Sequence, residues 1–186
     1  DEAISDVGLS RLNFARASEG LPSVGANEKD IVWSSIMAGA EDMAKAIEFV
    51  QANAKRWNAN PDRIAAGGHS AGGGNTLNAT FGLKAPVSAI FPMSPPTMLF
   101  DPGQVITRGD MPPVLWFVSQ YDVGVSLEAA QVTIPYLQSA GVTYQLAWVP
   151  GFPHFYPTGA VSLGDDGSRI SVGGRIAEFL DEYLKD

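Results

Sequence analysis

The chain has 186 residues, of which 45% are apolar and only 17% charged; this balance buries a core and excludes a disordered tail or a fibrous repeat. Lys and Arg number 12 against 20 Asp and Glu, a net charge of −8, which counts against nucleic acid as a partner. The absence of cysteine excludes disulfides, thiolate catalysis and zinc–thiolate sites together.

No apolar run approaches the ~18 residues that a membrane helix needs, so no membrane span is expected. The first residue is Asp1, with no charged-then-apolar leader after it, and the chain is expected to be cut from something longer. Compartment and oligomeric state are left open.

Strand-like and helix-like stretches alternate along the chain, which predicts an α/β fold with a mainly parallel sheet. Leu9–Phe14 alternates apolar and polar residues and is the first candidate strand. A polar loop to about Asp30 follows. Between Ala38 and Trp57 the residues Met43, Ile47, Val50, Ala54 and Trp57 fall at helical spacing. Asn60-Pro61-Asp62 is a turn signal, and Arg63–Gly67 reads as a short strand.

Gly68–Asn75 is glycine-rich, with a helix expected to run on to about Phe81. Pro86–Met93 reads as a buried strand, Ser94–Pro113 as a proline-rich loop, and Val114–Ser119 as the clearest buried strand. Ser126 is placed to cap a helix ending at Ala140, with Gly141 as its stop. Pro135 is expected to kink or split that helix. Thr143–Val149 is a further strand, a loop holding His154 follows, and Ile170–Leu184 is the closing helix.

Gly68-His69-Ser70-Ala71-Gly72 matches G-x-S-x-G. The five residues alone are weak evidence. Their place between a short strand and a helix is what a nucleophile elbow requires. There the serine sits on a strained strand-to-helix turn, and glycines two residues away on each side leave room for it. The helix that starts at the turn aims its N–H groups at developing negative charge.

Serine needs a base, usually histidine. The chain has two histidines. His69 adjoins Ser70, and neighbours at such a turn point apart, which leaves His154. The third member holds the imidazole in place and stabilises its charged form. Asp122 lies just past the carboxyl end of a buried strand, where ligand chemistry gathers in open α/β sheets. Asp101, Asp110, Asp165 and Asp166 compete for that role, whereas Asp62 suits a turn.

Three stretches together resemble the α/β-hydrolases of the esterase/lipase (carboxylesterase-like) kind. Asn60-Pro61-Asp62-Arg63-Ile64 leading into Gly68–Gly73 is similar to that family's elbow. Pro112-Pro113-Val114-Leu115-Trp116-Phe117-Val118 into Asp122 is similar to its acid strand. Gly141-Val142 and Pro150-Gly151 through His154-Phe155 are similar to its histidine segment.

The resemblance implies a three-layer α/β-hydrolase sandwich, residues 1–186 forming one core domain, with helices on both faces of the sheet and no large cap domain. It implies Ser70 as nucleophile, His154 as base, Asp122 as its partner, and the Ala71 backbone N–H in the oxyanion hole. Family members carry strands ahead of Leu9–Phe14 and often a His-Gly-Gly-Gly-like loop that supplies further oxyanion donors. No such motif lies between Asp1 and the elbow, so the first strands are expected to be missing from this chain.

The stretch Ser94–Pro113 is too short and proline-rich for a helical cap. An open site is expected, shaped by His69, Met98, Leu99, Phe100 and Phe152. No cofactor and no metal are expected. The reaction expected is hydrolysis of small-molecule or polymer-end carboxylic esters through an acyl-enzyme. Amide or peptide cleavage by the same three residues is the alternative chemistry. A catalytically incomplete fragment acting as a binding module is the alternative of a different class.

Overall fold

The computed structural model describes residues 13, 16, 17, 20, 22, 23, 28–107 and 111–185. The predicted strand Leu9–Phe14, Asn13 excepted, lies outside the described residues, as does Asp110. Helix α1 spans Glu28–Asn53 and ends in a 3-10 turn, Ala54–Trp57. It begins ten residues before the apolar periodicity at Ala38 becomes visible. Its C-terminal stop is Asn58 at φ 53°, a left-handed cap.

Strand β1 is Ala65–His69 and helix α2 is Ala71–Leu77, continued by a π turn over Asn78–Gly82. Strand β2, Ala89–Met93, is followed by the short helix α3, Pro102–Val105, in the proline-rich stretch. Strand β3 is Val114–Tyr121, helix α4 is Gly124–Ala140 and strand β4 is Tyr144–Pro153. A hairpin of β5 (Val161–Gly164) and β6 (Arg169–Ser171) leads into helix α5, Val172–Leu184.

The sheet order is β1-β2-β3-β4-β5-β6. The first four strands are mutually parallel, and β5 and β6 are added antiparallel. Along β3 the side chains alternate between two cores. Val114, Trp116 and Val118 join Ile47, Leu77, Phe81 and Leu137 on one face. Leu115 and Phe117 join Val149, Val172 and Phe179 on the other. This gives the three layers, with α1, α2 and α4 on one side and α5 opposite. A strand covered on both faces reads as a continuous apolar run, as Val114–Ser119 does.

Two local expectations are corrected. Helix α4 starts at Gly124 with Val123 as its N-cap, so Ser126 sits inside its first turn and donates to the Ser94 carbonyl at 2.9 Å. The helix is also not split at Pro135. Pro135 and Gln131 both face solvent, so water can take the place of the lost i→i−4 hydrogen bond on the Gln131 carbonyl. Among the described residues no helix is long and apolar enough to cross a membrane.

Candidate active site

The parallel strands set up the site. The residues directly after β1, β2, β3 and β4 are Ser70, Ser94, Asp122 and His154. Four neighbouring strand ends therefore deliver four polar side chains to one edge of the sheet, the edge at which open α/β sheets bind ligands.

Ser70 is the N-cap of α2 and has φ 54° and ψ −119°, a backbone rarely adopted outside glycine. Two main-chain bonds hold it there: its N–H donates to the Met93 carbonyl at 2.9 Å, and its carbonyl accepts from Gly74 N–H at 3.0 Å. A Cβ on Gly68 would stand 2.6 Å from the Gly72 carbonyl carbon, whereas a Cβ on Gly72 would meet nothing within 4 Å. The two motif glycines thus differ in purpose. Gly68 lacks a side chain so that the turn can close. Gly72 contributes the backbone that Gly68 must clear.

His154 Nε2 lies 2.8 Å from Ser70 Oγ, and its Nδ1 lies 2.6 Å from Asp122 Oδ1. The Asp122 side chain is fully shielded from solvent and that of His154 is 15% exposed. Asp122 Oδ1 also accepts from Val123 N–H at 2.9 Å. Its Oδ2 accepts from Ser119 N–H at 3.1 Å and from the Ser94 hydroxyl. Burial pushes the Asp122 carboxyl up, but the hydrogen bonds from Ser94, His154, Ser119 and Val123 outweigh it and hold it below the ordinary value.

An ionised carboxylate only accepts. Asp122 therefore fixes the His154 proton on Nδ1 and leaves the Nε2 lone pair facing the Ser70 hydroxyl. Such an imidazole can take the hydroxyl proton as the oxygen attacks, and the carboxylate then balances the imidazolium. Ala71 is the first residue of α2. Its N–H is among the helix-start donors that lack an intrahelical acceptor, at the positive end of the helix dipole.

Sequence reasoning misses Ser94 and Tyr156. Ser94 is fully buried and holds φ 42°, and its Oγ lies 3.2 Å from the Tyr156 hydroxyl. The signal available for Ser94 is positional: it is the first residue past the buried strand Pro86–Met93. Asp101 caps α3, accepting from Gly103 N–H at 2.9 Å, and Asp166 accepts from Ser168 in the β5–β6 turn, so neither of these competing acids meets His154.

His69 packs against the site through its ring. The ring stacks on Phe155 at 5.0 Å and meets the edges of His154 and Tyr156, each at 5.1 Å. Met98 is buried in the core beside Ile106 and Phe81. Leu99 donates its N–H to Asn78 Oδ1 at 2.8 Å. Phe100 lies over Gly82, and Phe152 packs on the core next to α5. None of the four lines the open cleft beside Ser70. That cleft, about 290 Å³, is lined by Ser35 and Ile36 of α1, by Ser70, Ala71, Gly74 and Asn75, and by Pro96.

Solved structures share this arrangement of strands and helices. Thermogutta terrifontis esterase 2 phosphoramylated by tabun is 20% identical with a TM-score of 0.58, over 78% of this chain and 62% of that one. The butyrate-bound form of the same esterase is 20% identical with a TM-score of 0.59, over 78% and 64%. A single-residue variant of Arabidopsis thaliana SOBER1 is 21% identical with a TM-score of 0.58, over 82% and 66%. This chain has the α/β-hydrolase fold. It spans less than two thirds of the length of these esterase structures. The family described as BD-FAE matches residues 31–100, which in this hydrolase fold run from α1 through the elbow and β2 into the proline-rich stretch. No curated protein matches the sequence.

Proposed function

We propose that this chain is a serine carboxylic-ester hydrolase working through an acyl-enzyme. The observation that carries the reading is His154 bridging Ser70 Oγ and Asp122 Oδ1 at 2.8 and 2.6 Å. His154 Nε2 takes the Ser70 proton as Oγ attacks the ester carbonyl. Asp122 holds the imidazole in the required tautomer and balances its charge. The Ala71 N–H and the start of α2 stabilise the oxyanion. His154 returns the proton to the departing alcohol, then takes one from the water that attacks the acyl-enzyme and gives it back to Ser70 Oγ as the acid leaves. These steps are carried by side chains and main-chain N–H groups of the chain itself and call on no cofactor.

The cleft of about 290 Å³ beside Ser70 is at the lower end of ligand-site volumes and suits a small acyl group. In the same fold, esterase 2 structures hold propionate and butyrate. We therefore expect p-nitrophenyl acetate and butyrate to be turned over faster than long-chain esters.

Ser70→Ala and His154→Ala should each lower ester turnover by about 10⁴-fold or more, the scale of losses when a triad member is removed. A phosphonate that derivatises serine should add once to the wild type and not to Ser70→Ala, as intact mass reports. Turnover retained in either purified variant overturns the reading.

A further inference from the structure

We propose that Ser94 is a fourth member of the site, a positioning residue whose hydroxyl fixes the Asp122 carboxylate that holds His154. The inference rests on the reading of Ser70, His154 and Asp122 as the reacting set. Three independent features carry it.

The first is hydrogen-bond accounting. A carboxylate offers about four lone-pair sites, and among the described residues Asp122 has four donors: His154 Nδ1 and Val123 N–H on Oδ1, Ser119 N–H and Ser94 Oγ on Oδ2. Val123 and Ser119 are tied to the backbone beside Asp122 itself. Of the two side-chain donors, His154 changes its protonation during the reaction. Ser94 is thus the one side-chain donor that can hold the carboxylate unchanged throughout a cycle.

The second is proton direction. Ser94 has a single hydroxyl proton, committed to Asp122. The Tyr156 hydroxyl, 3.2 Å from Ser94 Oγ, must then be the donor in that contact. Burial pushes the Tyr156 phenol well above its ordinary value, so it keeps its proton for this purpose. A chain Tyr156→Ser94→Asp122 results, with each hydroxyl donating once.

The third is backbone strain. Ser94 is not glycine, yet it holds φ 42° in a fully buried position, a conformation that persists only where the surroundings enforce it. Its N–H donates to the Phe117 carbonyl at 2.9 Å and its carbonyl accepts from Ser126 Oγ at 2.9 Å. The strained turn sits at the carboxyl end of β2, between the strand that leads into Ser70 and the one that leads into Asp122. It aims the hydroxyl sideways along the sheet edge at Oδ2.

Two variants separate the hydroxyl from the fold. Ser94→Ala removes Oγ and keeps the strain. Ser94→Gly removes Oγ and relieves it. Both should lower kcat for p-nitrophenyl butyrate by roughly 10- to 100-fold, the scale of one lost hydrogen bond to a charged group, with KM little changed. Both should also move the acid limb of kcat/KM to higher pH. With one donor fewer, the carboxylate keeps more of its charge and holds the proton on its imidazole partner more tightly. Among the described residues the titratable groups that interact with Asp122 are His154, His69 and Tyr156, all unchanged in both variants.

The Nδ1 proton bonded to a carboxylate gives a far-downfield NMR signal, absent in Asp122→Asn, which should shift in both Ser94 variants. Loss of turnover in Ser70→Ala tests the reacting set separately, and the proton signal reads Ser94's effect on Asp122 whether or not an ester is turned over. Wild-type kcat in either Ser94 variant overturns the proposal. So does a fall in kcat with an unmoved acid limb and an unmoved proton signal, since that pattern marks a structural role alone.

Discussion

The imidazole of His69 is packed by the rings of His154, Phe155 and Tyr156, and its Nε2 is buried with no hydrogen-bond partner among the described residues. Burial lowers its proton affinity, and so does the neighbouring His154 imidazole; a hydrogen bond to the His154 main chain and the charge of Asp122 only partly offset this. The native state thus binds a proton at His69 less readily than the unfolded chain, whose histidines titrate near 6.5. Where the unfolded state binds more protons, stability rises with pH. The contribution of neutral His69 is complete above about pH 6.5 and declines as pH falls through that value, levelling off once the native state is protonated too. His69→Phe keeps the ring stacking and removes the titration. Urea midpoints of the two proteins should run parallel above about pH 7 and diverge below about 6.5, with the wild type losing more. A constant offset across that range would show that His69 is not the group that titrates.

The elbow shows how much an element can be read ahead of its structure. Two glycines flank Ser70 symmetrically in sequence, and the sequence suggests that both relieve a clash. The structure separates them. A Cβ at Gly68 meets Gly72 main chain at 2.6–2.9 Å, and backbone cannot give way as a flexible side chain can. Gly72 lies inside α2 with open space around its missing Cβ. Gly68→Ala should therefore distort the turn, cost several kcal/mol of stability and suppress reaction of Ser70 with phosphonate, an outcome in the upper range for point substitutions. Gly72→Ala should be neutral or stabilising by about 0.5–1 kcal/mol, since alanine loses less entropy in a helix. Thermal midpoints and phosphonate labelling of the two variants give the comparison, and equal damage from both would contradict the steric assignment.

Elsewhere, what was legible followed signal strength. β3 was readable because it is covered on both faces, and the Asn60-Pro61-Asp62 turn because its chemistry is local. The β5–β6 hairpin escaped because strands of four and three residues carry almost no period, although Gly167 at φ 81° and the Asp166 bonds to Ser168 mark its turn. Ser70 stands out because it is motif-bound, His154 because histidine is scarce, and Asp122 because it follows the buried strand Val114–Ser119; the structure brings the three side chains within hydrogen-bond distance. Ser94 does not stand out, because Met93-Ser94-Pro95-Pro96 has no motif and the residue's importance lies in contacts with positions 122 and 156, far away in sequence.

At the scale of the molecule, β3 joins two cores that share no other strand as fully. Trp116 and Val118 pack toward Leu137 of α4, and Leu115 and Phe117 toward Phe179 of α5. Asp122 follows directly from this strand, so disturbance of either core reaches the site through one element. Leu137 and Phe179 are each almost fully buried, on opposite faces of the sheet. Leu137→Ala should cost about 2–5 kcal/mol and Phe179→Ala about 3–5 kcal/mol, from lost transfer energy and the cavity left behind. If β3 couples the two sides, each variant unfolds in one transition, with tryptophan fluorescence and far-UV circular dichroism giving the same midpoint. The double variant, whose losses together rival the typical stability of about 5–15 kcal/mol for a whole domain, should then fail to fold. Two separated transitions in Phe179→Ala would show instead that the α5 side, with β5 and β6, melts by itself. In that case His154, which precedes this hairpin, would leave Ser70 before the elbow unfolds, and phosphonate labelling would be lost at the lower midpoint.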